Sequence, residues 1–287
     1  MSIKKEILDI VRDKKTQIPT LPQVVDKIMD TARDERSSAK DLADIITRDQ
    51  AISNKVLRLV NSAYYGMMKE VDTISRAITI IGFNEVVSLV IGMSVFSAFD
   101  KDKAQDVLDM SEFWLHAVGC AEAAKRIADI CQPAISNQVF LPALLHDTGK
   151  IVFMIYFPGQ YSMVLSEALK EMVPLYRKEK ENLGLDHASL SGLLMERWNF
   201  PESLLLPSRF HHRSEECPIA FRKHAMVVEL ANQLCHEVEI GRSGNPVKPT
   251  PKALGQKLGL SLKEMEQVAK ELEEKREKIS SFLALFS

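Results

Sequence analysis

The segment Leu145-His146-Asp147-Thr148-Gly149-Lys150 places a histidine beside an aspartate at the end of an apolar stretch. A carboxylate in such surroundings must be paired with a cation, bound to a metal or protonated, because an isolated buried charge is costly. Imidazole and carboxylate groups together form the ligand set for Zn, Mn, Fe and related ions. His146 and Asp147 are therefore candidate ligands, either in a working metal site or in the remnant of one.

Most of the other histidines also lie on apolar faces of predicted helices. Five of the chain's seven histidines do so: His116, His146, His187, His211 and His212. A single inward histidine usually only donates to a backbone carbonyl, but this set with Asp147, on four predicted helices, favours a shared metal site. Adjacent helical residues diverge by about 100°, so His146 and Asp147 could serve two ions with Asp147 bridging, or one of them could only support a ligand. His224 and His236 lie outside this pattern and are expected to be ordinary helix residues.

Lys150 follows Asp147 by three residues. In that position an ammonium group could meet a phosphate held by the metals and stabilise its negative charge. A solvated lysine beyond a helix end explains the sequence equally well, and both interpretations stay open here. If the protein is an enzyme, Asp147 and Lys150 are the catalytic candidates.

The elements that carry these residues are predicted to be helices throughout. Glycine is sparse, Asn-Gly and Asp-Gly hairpin signals are absent, and apolar residues recur at three- and four-residue steps. Pro142 should lie near the start of its helix or kink it. A polar junction is expected at 99–110, a loop at 241–251 and two helices in 252–287. The other main helices are predicted at 84–98, which should be buried, and at 112–130, 137–156, 160–182, 186–198, 201–213 and 218–238.

Composition excludes several classes of protein. The net charge of −2 and the absence of a basic block argue against a nucleic-acid-binding surface. The first residues are charged and lack the apolar core of a signal peptide. No apolar run is expected to reach the roughly 18–20 residues of a membrane span. We therefore expect a cytoplasmic protein.

The cysteines are widely spaced without a Cys-x-x-Cys pair, so free buried thiols are expected rather than disulfides or zinc ligands: Cys120, Cys131, Cys217 and Cys235.

Several motifs resemble a known family. His116 followed by His146-Asp147 resembles the HD superfamily of metal-dependent phosphohydrolases. More narrowly, the chain resembles the HDOD family, the HD-related output domain, over residues 15–240. The segments that carry this resemblance are LPQVVDKIMD (21–30), DLADIITRDQAISNKVLRLVNSAYYG (41–66), ISRAITIIGFNEV (74–86), FWLHAVGCA (113–121), LLHDTGKIV (144–152), LGLDHASLSGLLMERWNFP (183–201) and HH (211–212).

The resemblance implies an all-α fold with an N-terminal helical subdomain (1–105) and an HD-like helical bundle (106–240), followed by a loop and C-terminal helices (241–287). It also implies a role in bacterial signal transduction. We expect an unidentified protein partner and, from the charge and the apolar pattern, neither nucleic acid nor a membrane. A homodimer is left open. HDOD proteins are generally regarded as lacking established catalysis. This chain nevertheless retains residues matching the metal ligands of HD-GYP phosphodiesterases, implying one or two divalent ions (Fe, Mn or Zn): His116, His146, Asp147, His187, His211 and His212.

Two departures from the superfamily count against full activity. Asn232 stands where an aspartate ligand is usual, so it would be a weak ligand without the negative charge that helps to hold a dication. The Gly-Tyr-Pro signature is absent after His212, so hydrolysis of cyclic-di-GMP is not supported. Two functions follow: a regulatory module whose cluster is vestigial, structural or metal-sensing, or a metal-dependent phosphohydrolase acting on a nucleotide or another phosphoester.

Overall fold

The computed structural model describes residues 2–12, 18–34, 36–99 and 107–285. Every regular element in those residues is helical, which confirms the all-α prediction. Short 3-10 turns occur at Pro133–Ile135 and Ser214–Glu216. The α-helices are α1 (Ile3–Arg12), α2 (Gln23–Arg33), α3 (Ala39–Thr47), α4 (Gln50–Val60), α5 (Ile74–Ile81), α6 (Phe83–Ala98), α7 (Met110–Cys131), α8 (Ser136–Leu145), α9 (Thr148–Tyr156), α10 (Pro158–Glu171), α11 (Leu175–Leu183), α12 (His187–Arg197), α13 (Glu202–Arg209), α14 (Arg222–Glu237), α15 (Lys252–Lys257) and α16 (Leu262–Leu283).

The chain forms two compact units, residues 19–99 with 275–287 and residues 1–18 with 100–274. In the first unit, α6 is buried along Val86–Phe96, as the sequence predicts for a helix that is apolar on most sides. Gly82, at φ 95°, makes the turn between α5 and α6, a conformation that glycine adopts without a Cβ penalty. The polar junction predicted at 99–110 falls largely outside the described residues.

The second unit is a helical bundle that carries all the candidate site residues. Its centre is α7, which packs against α8 and α14, while α9 packs against α12 and α12 against α13. Gly149 permits the approach of α9 to α12, because a Cβ on this residue would lie 2.2 Å from the carbonyl oxygen of His187. The bundle thus brings distant parts of the sequence to within side-chain reach of the His146-Asp147 pair.

The prediction of a single helix at 137–156 is wrong. It is two helices, α8 and α9, which are separated at His146 and Asp147. The hydroxyl of Ser191 on α12 stabilises this break, since it donates to the carbonyl oxygen of His146 (2.7 Å) and accepts from the N–H of Gly149 (2.8 Å). A partner distant in sequence therefore satisfies backbone groups that a continuous helix would have paired internally. Pro142 lies inside α8.

Two other boundaries differ from the prediction. The helix expected at 160–182 is divided into α10 and α11 near Met172, whose φ of 51° is left-handed. The helix expected at 201–213 ends at Arg209, so His211 and His212 lie in the turn that follows it. The pair of helices predicted for the C-terminal part is confirmed by α15 and α16.

The stretch Pro133–Tyr156 is long and apolar enough to meet the length and composition of a membrane span. The prediction that no apolar run reaches this length was therefore wrong. In the structure, 89% of the most apolar 18-residue segment of this stretch is buried, as in the core helices of globular proteins.

Candidate metal centre

Asp147 lies at the centre of a buried cluster, in which four histidines face its two carboxylate oxygens. The Nε2 atoms of His116 and His146 lie 3.9 Å and 3.4 Å from Oδ2. The Nε2 atoms of His187 and His211 lie 3.1 Å and 3.7 Å from Oδ1. Each carboxylate oxygen therefore faces one pair of imidazoles, an arrangement in which Asp147 could bridge two ions.

His146 and Asp147 can face the same point because the helix ends at this pair. Asp147 has φ −97° and ψ 2°, outside the helical geometry on which the expected divergence of the two side chains depends. The Nε2 of His146 thus lies beside Oδ2 of Asp147 rather than pointing away from it. The break in the helix creates the site.

Backbone oxygens orient three of the ligand candidates. In each ring Nδ1–H donates to a carbonyl oxygen: Ile240 for His116 (3.2 Å), Ala143 for His146 (2.6 Å) and Ser208 for His211 (2.6 Å). Because a carbonyl can only accept, Nδ1 holds the proton of the neutral ring and Nε2 presents a lone pair. This arrangement is typical of metal-ligating histidines.

A carboxylate, Glu179 on α11, orients His187. Its Oε2 accepts from the Nδ1 (2.5 Å) and the backbone N–H (2.7 Å) of His187, and its Oε1 accepts from the hydroxyl of Tyr161 (2.8 Å). Glu179 and Tyr161 are fully buried. Neither residue is among the predicted site residues, since Glu179 lies in the strongly charged segment YRKEKEN, whose local pattern is that of a solvated helix face.

Lys150 is buried against Asp147, so its interpretation as a solvated lysine is wrong. Its Nζ donates to Oδ2 of Asp147 (2.7 Å) and to the carbonyl and hydroxyl oxygens of Ser243 (2.9 Å and 3.1 Å). The Lys150 side chain thus links the centre of the cluster to the loop that follows α14. It also places a positive charge beside Oδ2 of Asp147, the oxygen that faces His116 and His146.

Burial and the contacts between neighbouring ionisable groups shift the pKa values of the cluster residues. Burial lowers the pKa of His116 to about 4 and lowers the pKa of His211 well below its usual value, so both rings are neutral. Burial alone would raise the pKa of Asp147, but His146, Lys150 and His187 outweigh it and lower that pKa. Burial opposes the charge on His187 as well, yet Glu179 and Asp147 raise its pKa. Asp147 is therefore ionised, and its charge is stabilised by the Lys150 ammonium group at Oδ2 and by the His187 ring at Oδ1.

His212 forms the outer edge of the cluster. Its Nε2 lies 2.9 Å from Nε2 of His187, and the ring of Tyr176 stacks on it with centroids 4.5 Å apart. Burial lowers the pKa of His212 well below its usual value. The side chain is half-buried, whereas the other four candidate histidines are buried.

Asn232 and His236, one helical turn apart on α14, both contact His116. The Oδ1 of Asn232 lies 3.0 Å from Nε2 of His116, which places an amide beside this part of the cluster. The ring of His236 packs on that of His116 with centroids 4.6 Å apart. Assigning His236 to the ordinary helix residues was therefore wrong, although its spacing of four residues from Asn232 is the signal that could have identified it. His224 contacts Gln138 (3.1 Å), away from this cluster.

The side chains present fit divalent metal ions. Within the described residues, the buried Nε2 of His146 and Oδ1 of Asp147 lack a partner in hydrogen-bonding geometry. Both atoms point into the cluster, and a metal ion would satisfy them. Three sets of residues hold ligand atoms within 4.8 Å of one another: His116 with Cys120 and His146, His146 with Asp147 and His211, and His187 with His211 and His212.

The four cysteines are free thiols, as predicted. Cys120, Cys217 and Cys235 are buried, and Cys131 is half-buried. Cys120 lies beside the cluster, with its Sγ atom 3.5 Å from Nε2 of His116.

A family model described as the HDOD domain matches residues 18–214. The chain belongs to the HDOD family. The match includes the Asp147 cluster except for Asn232 and His236. A protein of uncharacterised function from Treponema pallidum (strain Nichols) is 25% identical over 225 residues. That alignment covers 77% of this chain and 43% of the Treponema protein, so this HDOD chain spans less than half the length of that relative.

Solved structures share the fold of this HDOD chain. A Marinobacter aquaeolei VT8 protein, provisionally described as a signal transduction protein, has a TM-score of 0.82 at 20% identity, covering 99% of this chain and 65% of that one. An HDOD domain protein of unknown function from Geobacter sulfurreducens has a TM-score of 0.76 at 22% identity, covering 97% of this chain and 95% of that one. A Shewanella amazonensis SB2B protein, provisionally described as a phosphohydrolase, has a TM-score of 0.76 at 22% identity over 98% of each chain.

Proposed function

We propose that this HDOD chain is a cytoplasmic bacterial regulatory protein, which binds divalent metal at the Asp147 cluster and passes a metal-dependent change to a protein partner. One observation carries this proposal: Lys150 joins Asp147 to Ser243, with Asp147 and Lys150 only 1% and 2% exposed. The proposed metal is Fe, Mn or Zn, with up to two ions sharing Asp147.

The burial of the cluster favours regulation over catalysis. A catalytic metal site keeps a coordination position open to water and substrate. Here His116, His146 and His211 have no exposed surface. One oxygen of Asp147 is already bonded to Lys150. These features describe a closed site, in which occupancy can change the protein more readily than a substrate can enter.

Lys150 connects the buried cluster to the loop that contains Ser243 through its hydrogen bonds to Asp147 and Ser243. The Lys150 ammonium group would have to leave Oδ2 of Asp147 if that oxygen held a metal ion. Displacement of Lys150 would release Ser243, which lies in the loop that borders a cavity of about 600 Å³ together with Arg242 and Lys248. We propose that rearrangement of this loop is what the partner detects.

The Marinobacter protein with a similar fold is described in terms of signal transduction, which is consistent with this role. The similarity is one of fold, so the regulatory role of this chain rests on the Lys150 link and on its HDOD membership.

A metal-dependent phosphohydrolase is the second candidate. The two imidazole pairs around Asp147 favour it, because two-ion sites are widely used in phosphoester hydrolysis. Bound divalent ions supply polarisation of a phosphoryl oxygen and lower the pKa of a coordinated water. The residues of this chain would hold those ions, and Lys150 could reach a phosphate only after leaving Asp147.

One preparation can test both candidates. The protein is reconstituted separately with Mn²⁺, Fe²⁺ and Zn²⁺, and its metal content, phosphoester turnover and backbone hydrogen exchange are measured. We expect bound metal, faster exchange in residues 241–251 and negligible turnover. A protein that retains no more than trace metal after reconstitution would contradict the proposal. Phosphoester turnover that is abolished by Asp147→Asn would favour the hydrolase.

A further inference from the structure

Cys120 lies one helical turn after His116 on α7, so both side chains project towards the same part of the cluster. The Sγ atom lies 3.5 Å from Nε2 of His116. The ligand atoms of His116, Cys120 and His146 all lie within 4.8 Å of one another. A second observation points to a ligand here, because the fully buried Nε2 of His146 has no hydrogen-bond partner within the described residues.

We propose that Cys120 is a metal ligand, which binds Zn²⁺ as a thiolate together with His116 and His146. This inference rests on the proposed function, since it assigns the ligands and the metal on one side of the Asp147 cluster. The resulting donor set is two imidazole nitrogens and one sulfur, with Asp147 or Asn232 close enough to complete it.

The separation of the donor atoms fits zinc. Zinc binds thiolate sulfur at about 2.3 Å and histidine nitrogen at about 2.0–2.1 Å, and its structural sites are tetrahedral. Two such donors at a tetrahedral angle lie about 3.6 Å apart, close to the 3.5 Å between Cys120 Sγ and His116 Nε2. The protein therefore presents these two atoms at a spacing that zinc can bridge.

A thiolate ligand would also resolve the charge problem that Asn232 creates. The amide of Asn232 is neutral and beside His116, so it offers a dication no negative charge. Deprotonation of Cys120 on metal binding would supply that charge beside the same Nε2 atom of His116. Thiolate is a soft ligand that favours zinc over hard cations such as Mn²⁺, so the sulfur also sets the choice of metal.

Cys235 provides a matched control. It is buried like Cys120 and contacts it, since its hydrogen bond is among the causes, after burial, that raise the pKa of the Cys120 thiol. It is not among the residues whose ligand atoms converge with His116 and His146. Cys235→Ser therefore changes the same region of the core without removing the proposed sulfur ligand.

Cobalt(II) replaces zinc as the spectroscopic probe. We expect the full-length protein loaded with Co²⁺ to show a thiolate-to-cobalt charge-transfer band in the near ultraviolet. Cys120→Ser should lose this band, and Cys235→Ser should keep it. Cys120→Ser should also weaken Zn²⁺ binding by at least about tenfold while changing Mn²⁺ binding much less.

X-ray absorption of the zinc-loaded wild type gives an answer even if the Cys120 variants do not fold. One sulfur at about 2.3 Å from zinc is the expected result. Bound metal with only nitrogen and oxygen neighbours, or a cobalt band that persists in Cys120→Ser, would overturn the sulfur ligand and leave the metal centre standing. Failure of the wild type to bind Co²⁺ or Zn²⁺ would overturn both.

Discussion

The Nζ of Lys150 lies 2.7 Å from Oδ2 of Asp147, and both groups are buried in the second helical unit. The ammonium group stabilises a carboxylate that would otherwise be an uncompensated charge in the core. It also occupies the oxygen that faces His116 and His146, so a metal ion bound at that oxygen would compete with the Lys150–Ser243 link.

Replacement of Lys150 by methionine should destabilise the metal-free protein by about 3–5 kcal/mol, because Asp147 then loses the cation that pairs with it in the core. Metal should restore more stability to this variant than to the wild type, because no ammonium group competes for Oδ2. Urea unfolding with and without Mn²⁺ measures both effects. Lys257→Met, at an exposed ion pair with Glu215, is the control and should unfold like the wild type. Equal metal-free stability of Lys150→Met and the wild type would contradict the account.

The same substitution tests transmission to the surface. Without the Lys150 ammonium group, Ser243 loses two hydrogen bonds. Residues 241–251 of metal-free Lys150→Met should therefore exchange backbone hydrogens as fast as those of the metal-loaded wild type. Hydrogen exchange followed by mass spectrometry provides the comparison. Wild-type protection of this loop in the variant would show that Lys150 does not hold it.

Glu179→Gln should weaken metal binding by about 10–100-fold, as is typical for a residue that orients a metal ligand. The amide cannot provide the carboxylate charge that aligns His187 and increases the basicity of its ring. Competition against a chelator of known affinity measures the change. Glu167→Gln is the control, since Glu167 accepts a hydrogen bond from Asn182 at the surface. If the two variants retain metal equally well, Glu179 has no such role.

Gly149→Ala should destabilise the protein by at least about 1–3 kcal/mol, the usual cost of overpacking. Its Cβ would lie 2.2 Å from the carbonyl oxygen of His187 and 2.9 Å from the backbone nitrogen of Ser191, so α9 and α12 must separate. Gly159→Ala is the control, because a Cβ there meets no atom within 4 Å. Thermal unfolding should show a clear loss of Tm in the first variant alone, and similar Tm values would refute the close approach.

Asn232→Asp should bind metal more tightly, by about tenfold or more, which corresponds to about 1.4 kcal/mol. The new carboxylate adds negative charge 3.0 Å from Nε2 of His116. In the metal-free protein this buried charge should be destabilising, since it lies near ionised Asp147. Metal retention during dialysis against chelator and metal-free unfolding are the measurements. Weaker retention would show that Asn232 lies outside the coordination region.

Local sequence patterns predicted the helices well where packing and propensity agree. The buried α6 and the long α7 follow directly from apolar spacing. The break at His146 and Asp147 could not be predicted in this way, because the Ser191 hydroxyl that stabilises it lies 45 residues along the chain from His146. The apolar pattern runs through both α8 and α9, so by itself it predicts one continuous helix.

The candidate site shows the same limit. Histidine and aspartate are uncommon on apolar helix faces, so the principal ligand candidates could be identified from the sequence. Glu179 could not, because a charged residue within a charged helix gives no local sign of burial. Only the contact between α11 and α12 shows that its carboxylate is fully buried and bonded to His187.

Anomalous diffraction from crystals of the Zn²⁺-loaded protein tests the central claim most directly. We predict anomalous peaks about 2.0–2.2 Å from the oxygens of Asp147, one on the side of His146 and one on the side of His187, with Lys150 displaced from Oδ2. A map with no peak in coordination distance of Asp147, in crystals whose solution counterpart is saturated with metal, would contradict the assignment of this cluster as the metal centre.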